Sequence, residues 1–271
     1  MKIGLALSGG AARGIAHIGV LQYLEEQGAK ICCLAGTSAG SIVGSLYCSG
    51  KTTDELVDIA SSMSWKSLVK FSLPKKGLIN SEKLLKMLKE YLGDITFDDL
   101  ELPLLVNAVD LLSGKEVIMD EGPVAEAVVA SCAIPGIFTP VKKDKYLLVD
   151  GGLLDNLPAA LLKDKNVDHI ISVNVGAQIP LDKEPESIFE ILVQSFDVVR
   201  RQRDLPAQKY TDTMIEPDLG DIPFHDTSKV DELIKRGYEA AQEALKGLDF
   251  QKKPGRISKW LSKRKKKSGG E

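Results

Sequence analysis

The chain is poor in residues that bind metals or staple a fold. It has three histidines and four cysteines in 271 residues. Cys32, Cys33, Cys48 and Cys132 lie among apolar neighbours, and none stands at a metal-ligand spacing from a histidine. They read as reduced, small hydrophobes, and neither a metal nor a cofactor is expected. The adjacent Cys32 and Cys33 should point to opposite faces of a strand. No apolar run approaches the roughly 18–20 residues of a membrane span. The start, Met1-Lys2-Ile3-Gly4, leads into an apolar stretch broken at Ser8-Gly9-Gly10, too short and wrongly flanked for a signal peptide. Internal repeats are absent. The expectation is a soluble cytoplasmic protein.

What is present is ordinary globular material. Hydrophobic residues at 44% and charged residues at 27% suffice for a sizeable core. The length suits one large domain over residues 1–250. Charge is uneven: residues 251–271 carry nine Lys/Arg and one acid, a net +8, which leaves −11 on the rest of a chain of net −3. An acidic body does not attract nucleic acid. The tail does suit an anionic surface. Ile257, Trp260 and Leu261 form one apolar face among basic residues, so residues 252–267 read as a peripheral contact with the inner membrane face.

Short apolar runs at 3–7, 31–35, 104–109, 146–149 and 169–175 read as strands, with 117–119 returning from the turn at Ser113-Gly114 and 213–215 a further short strand. Helices are expected over 14–27, from 39 to 48, from Thr53 to 60, from a Ser81 cap, over 123–133, 186–203 and 228–245. The alternation predicts a three-layer α/β/α architecture on a mostly parallel sheet.

Three clusters of residues carry the chemistry. Gly36-Thr37-Ser38-Ala39-Gly40 joins a strand to a helix, the setting in which a serine on a sharp turn presents its hydroxyl above a sheet. The start of the following helix favours a developing oxyanion there. Ser8-Gly9-Gly10-Ala11-Ala12-Arg13-Gly14 also joins a strand to a helix, with backbone N–H groups open to close approach. An oxyanion hole or a dinucleotide pyrophosphate site fits that loop. Against the second, the middle glycine of the dinucleotide fingerprint is Ala11, and the second strand ends in Ala35-Gly36-Thr37 with no acid for a ribose. Asp150, before Gly151 and Gly152, should emerge at a strand end near the site and is a candidate base for Ser38. A triad drawn from Ser38, Asp150 and His169 or His225 is the alternative, while His17 sits among core positions.

Together these segments resemble the patatin-like phospholipase family in its compact bacterial form. The carrying residues are Leu7 to Gly14 with Ala16-His17-Ile18-Gly19-Val20-Leu21, Gly36 to Ser41, Ala130-Ser131-Cys132-Ala133-Ile134-Pro135-Gly136-Ile137-Phe138, and Val149-Asp150-Gly151-Gly152-Leu153. The resemblance spans about residues 2–245. It implies lipid acyl-ester hydrolysis without a metal, through a Ser38–Asp150 dyad and an acyl-enzyme. It also implies an oxyanion hole in the loop of Gly9, Gly10, Ala11, Arg13 and Gly14, with Gly10 and Ala11 as donors. Ala11 departs from the family, which usually has glycine there. Arg13 is expected to brace the loop against a carboxylate or to attract a lipid phosphate. Residues 52–92, with Trp65, Leu68, Val69, Phe71 and Leu73, form a candidate lid over a fatty-acyl substrate. A soluble carboxylesterase with a histidine-containing triad and a catalytically idle lipid-binding regulator are the competing readings.

Overall fold

The computed structural model describes residues 1–62, 80–177, 184, 191–192, 194–199, 205–220, 222–223 and 226–251. The basic tail and the apolar residues named for a lid lie outside them, as do most of the helix expected over 186–203 and residue 225.

One eight-stranded sheet organises the chain: β1 (Lys2–Leu7), β2 (Lys30–Gly36), β3 (Leu104–Asp110), β4 (Lys115–Met119), β5 (Val141–Lys143), β6 (Tyr146–Asp150), β7 (His169–Val173) and β8 (Thr213–Ile215). Its order is β5-β6-β3-β2-β1-β7-β8, with β4 also paired to β3. β3, β2, β1, β7 and β8 run parallel, while β4, β5 and β6 pair antiparallel. The sequence expectation missed the three-residue β5.

In β1, Ile3, Leu5 and Leu7 enter a large core on one face and Ala6 a smaller core on the other. Burial on both faces is what a parallel strand requires. The large core is covered by helices α1 (Ala16–Glu26), α2 (Ala39–Cys48), α3 (Thr53–Ser62), α4 (Ser81–Leu92), α5 (Val124–Ser131) and α6 (Val230–Ala244). On the other face the described cover is short 3-10 segments, Ala159–Leu162 and Leu205–Tyr210.

Three local expectations are corrected. Cys32 and Cys33 do not face opposite ways: the β1–β2 register jumps from Ile3↔Ile31 to Gly4↔Cys33, and this bulge at Cys32 turns both side chains into the smaller core. Thr52, not Thr53, caps α3, its hydroxyl accepting the Glu55 N–H while Glu55 accepts the Thr52 N–H. Asn80, not Ser81, caps α4 by accepting the Glu82 N–H at 2.9 Å.

The antiparallel strands decide where Asp150 goes. β4 pairs with residues 106–110 of β3, so β2 (opposite 104–106) and β6 (opposite 108–110) share the other edge of β3. They run toward one another along it. Their carboxyl ends, Gly36 and Asp150, meet across Asn107.

Candidate active site

Ser38 sits in the turn from β2 to α2 with φ 50° and ψ −122°, a backbone conformation that costs a non-glycine residue on the order of 1–3 kcal/mol. The surroundings hold it there. Its N–H donates to Ser131 Oγ at 2.8 Å, and its carbonyl accepts from the Ser41 N–H and hydroxyl and the Ile42 N–H. The elbow glycines allow the turn. A Cβ on Gly36 would lie 2.7 Å from the Gly40 carbonyl oxygen, and one on Gly40 would strike the Leu7 carbonyl. Between them, Thr37 Oγ1 donates to Asn107 Oδ1 (2.8 Å) and reaches the Asp155 carbonyl (3.1 Å). Ser38 itself is 7% exposed.

Asp150 ends β6 and is 1% exposed. Its N–H donates to the Ala133 carbonyl (3.0 Å), and its Oδ1 accepts the Gly152 N–H (2.8 Å). Ser38 and Asp150 are thus tied to opposite ends of one three-residue stretch, Ser131 to Ala133. The residue between, Cys132, feels both. Burial pushes its thiol well up, the Asp150 charge adds to this, and hydrogen bonds with Ser41 and Ser38 act the other way. Asp150 stands at the end of a strand, as expected, and that strand, β6, is antiparallel to β3 and arrives head-on to β2.

The glycine loop lies directly beside the elbow. A Cβ on Gly9 would be 3.1 Å from Ser38 Cβ and 2.6 Å from Asn156 Oδ1, while Gly14 abuts Ala39 and Gly10 abuts Val175. The Gly9 N–H is engaged by the Asn156 carbonyl (3.2 Å), and the Gly10 carbonyl accepts the Arg13 N–H (3.1 Å). Ala11 takes φ 50°, a left-handed conformation that suits glycine better than alanine. Arg13 is buried, and its Nε donates to the Ile222 carbonyl at 2.8 Å, binding the loop to the chain after β8. Gly151 packs on Asn107, and a Cβ on Gly152 would lie 3.0 Å from Asn156 Oδ1.

Sequence reading missed Ser131 and Asn156. Asn156 is 1% exposed and places its Oδ1 between Gly9 and Gly152, with Nδ2 buried and unpaired. The signal for Asn156 was an amide side chain in the run Asp155-Asn156-Leu157-Pro158, four residues past Gly152.

The two described histidines bond groups other than Ser38 and Asp150. Fully buried His17 donates from Nε2 to the Ser8 carbonyl (2.9 Å), and burial lowers it from 6.5 to about 4, so the ring is neutral. His169 begins β7 opposite Ile3, four residues before the end of β1, roughly 13 Å from the carboxyl-end face. It bonds Thr213 Oγ1, and burial lowers its pKa. Among the described residues, no group of three or more His, Cys, Asp and Glu could hold a metal ion. Nor is any described helix long and apolar enough to cross a membrane.

Comparison with known proteins bears on the family and the fold. The Patatin family, described as patatin-like phospholipase, matches residues 5–163, more than half of the chain. An uncharacterised NTE family protein of Mycobacterium tuberculosis is 38% identical over 178 residues, covering 65% of this chain and 49% of that protein. Lysophospholipase NTE1 of Candida albicans is 30% identical over 181 residues, covering 65% of this chain but 13% of its own length. The chain therefore spans about half, or much less, of these curated relatives. In fold it is similar to the crystal structure of VipD from Legionella pneumophila, with a TM-score of 0.62 at 15% identity, covering 90% of this chain and 66% of that one. On the family match, the chain belongs to the patatin-like phospholipase family.

Proposed function

We propose that the chain is a serine lipid acyl hydrolase of the phospholipase A or lysophospholipase type, with Ser38 as nucleophile and Asp150 as general base. The observation that carries this reading is the common anchoring of a strained, elbow-mounted Ser38 and a buried Asp150 on Ser131 to Ala133. Fixed geometry of this kind lowers the entropic part of the barrier.

In the first step Asp150 takes the Ser38 proton while Oγ bonds to the acyl carbonyl carbon. The oxyanion is held by the N–H groups of Gly10 and Ala11, the Gly9 N–H being committed to Asn156. The ester C–O bond breaks, the proton passes from Asp150 to the departing alcohol, and an acyl-enzyme remains. In the second step Asp150 takes a proton from water, which attacks the acyl carbon. Fatty acid leaves and Ser38 regains its proton. Burial beside Cys132 and Ala133 supports Asp150 as the base, since desolvation strengthens a carboxylate. Arg13 acts as a brace in this reading, not as a phosphate ligand.

The placement of His169 supports the dyad over a triad that uses His169, and His225 lies outside the described residues. The deciding experiment measures hydrolysis of a medium-chain p-nitrophenyl ester and fatty acid release from phospholipid vesicles by wild type, Ser38→Ala, Asp150→Asn, His169→Ala and His225→Ala. Loss of at least about 10³-fold in the first two variants, with both histidine variants active, is expected. Ester cleavage without lipid cleavage would make the chain a soluble esterase. A folded wild type that cleaves neither, and ignores a serine-directed fluorophosphonate, would make it a lipid-binding protein.

A further inference from the structure

We propose that an apolar slot beside the glycine loop receives the acyl part of the substrate as a single extended alkyl chain. The proposal rests on the hydrolase reading above. The slot holds about 460 Å³, part of it open to solvent, yet the centre of a water-sized sphere can occupy only about 40 Å³ of it. So little room for a water-sized sphere suits a slim chain better than a ring or a bulky headgroup.

Its walls come from four elements, with Ile18 of α1 among them. Ala11 and Gly14 line it from the glycine loop, Ile42 and Leu46 from α2, and Leu56 and Ile59 from α3. None of its lining residues is charged or polar in its side chain. An ester headgroup would find nothing there to satisfy it and stays outside, whereas each methylene buried gains roughly four-fold in binding.

The direction of the slot follows from α2. Ala39, Ile42, Val43 and Leu46 recur at the three- and four-residue spacing of one helix face, so the lined stripe runs from Ala39 to Leu46, about 10 Å. It begins at the residue after Ser38, where the acyl carbonyl would sit, and leads away from the sheet's carboxyl edge. Ala11, which lines the slot, carries a methyl where the family usually has none. Leu46 is the lining residue furthest along α2, and Leu56 and Ile59 line the slot from α3, so in this proposal these three select chain length.

The test uses the full chain and p-nitrophenyl butyrate, octanoate and laurate. Ile59→Trp should lower the laurate-to-butyrate ratio of kcat/KM by roughly ten-fold, and Ile59→Ala should move it the other way. Ratios within two-fold of wild type in both variants would overturn the proposal. A second readout needs no turnover: displacement of cis-parinaric acid by laurate from Ser38→Ala protein, with and without Ile59→Trp. A roughly ten-fold weaker laurate in the double variant is expected, and equal laurate affinity would overturn the slot. If wild type cleaves no ester but laurate binding still depends on Ile59, the slot stands and the hydrolase reading falls.

Discussion

Ser131 Oγ accepts the backbone N–H of Ser38 at 2.8 Å, with both residues buried. This bond fixes the main chain of the proposed nucleophile through a residue on another helix, 93 positions away. Ser131→Ala would leave the Ser38 N–H buried and unsatisfied, at a cost of about 1–3 kcal/mol. We expect kcat to fall roughly ten-fold with little change in KM, because positioning and not ground-state binding is lost. Steady-state kinetics beside a thermal melt checks this. A variant that is destabilised but has unchanged kcat would show that the bond serves stability alone.

Ala11 invites the opposite substitution. A left-handed alanine costs about 1–2 kcal/mol that glycine does not, while glycine gives back about 0.4–1 kcal/mol through its looser unfolded chain. Ala11→Gly should therefore leave Tm unchanged or raise it by roughly 2–4 °C, whereas Ala11→Val should lower it. A drop of several degrees in Ala11→Gly would mean that the methyl's contacts outweigh the strain.

His17 makes stability depend on pH. Burial, partly offset by its bond to the Ser8 carbonyl, lowers its pKa from 6.5 to about 4. Above pH 6.5 the ring is neutral in both states and its contribution is fully present. As the pH falls, the unfolded chain takes up the proton first, so stability declines by about 1.4 kcal/mol per unit until the folded ring titrates near 4. His17→Gln removes the titration, and its slope of stability against pH between about 6.5 and 4.5 should be shallower by that amount. Urea unfolding at a series of pH values measures it, and parallel slopes would refute the assignment.

The basic tail is a proposal drawn from sequence. Removing residues 252–271 should weaken sedimentation with anionic vesicles several-fold, with more of the effect lost at high salt, and spare hydrolysis of a soluble ester. Unchanged vesicle binding would exclude the tail as an anchor.

Much of the site was legible because its signals are local. Gly36, Ser38 and Gly40 mark a tight strand-to-helix turn, since a Cβ at either glycine would collide with backbone only a few residues away or in the adjoining strand. Asp150 is marked by an apolar strand running into two glycines. The caps were misplaced by one residue, because Thr52 and Thr53, like Asn80 and Ser81, are adjacent residues able to cap, and only the geometry of the turn chooses between them.

Other features had no local signal. Nothing within Cys32-Cys33 announces a bulge, which belongs to the register between β1 and β2. Nothing in Tyr146–Asp150 states its direction, which is set by pairing with β3, nearly forty residues earlier. Strand periodicity repeats every two residues whichever way the partner runs, so the sequence can place Asp150 at a strand's end but not beside Ser38. Local residue chemistry determined which groups could react. Long-range strand pairing, with the Ser131 and Ala133 contacts it positions, brought them together.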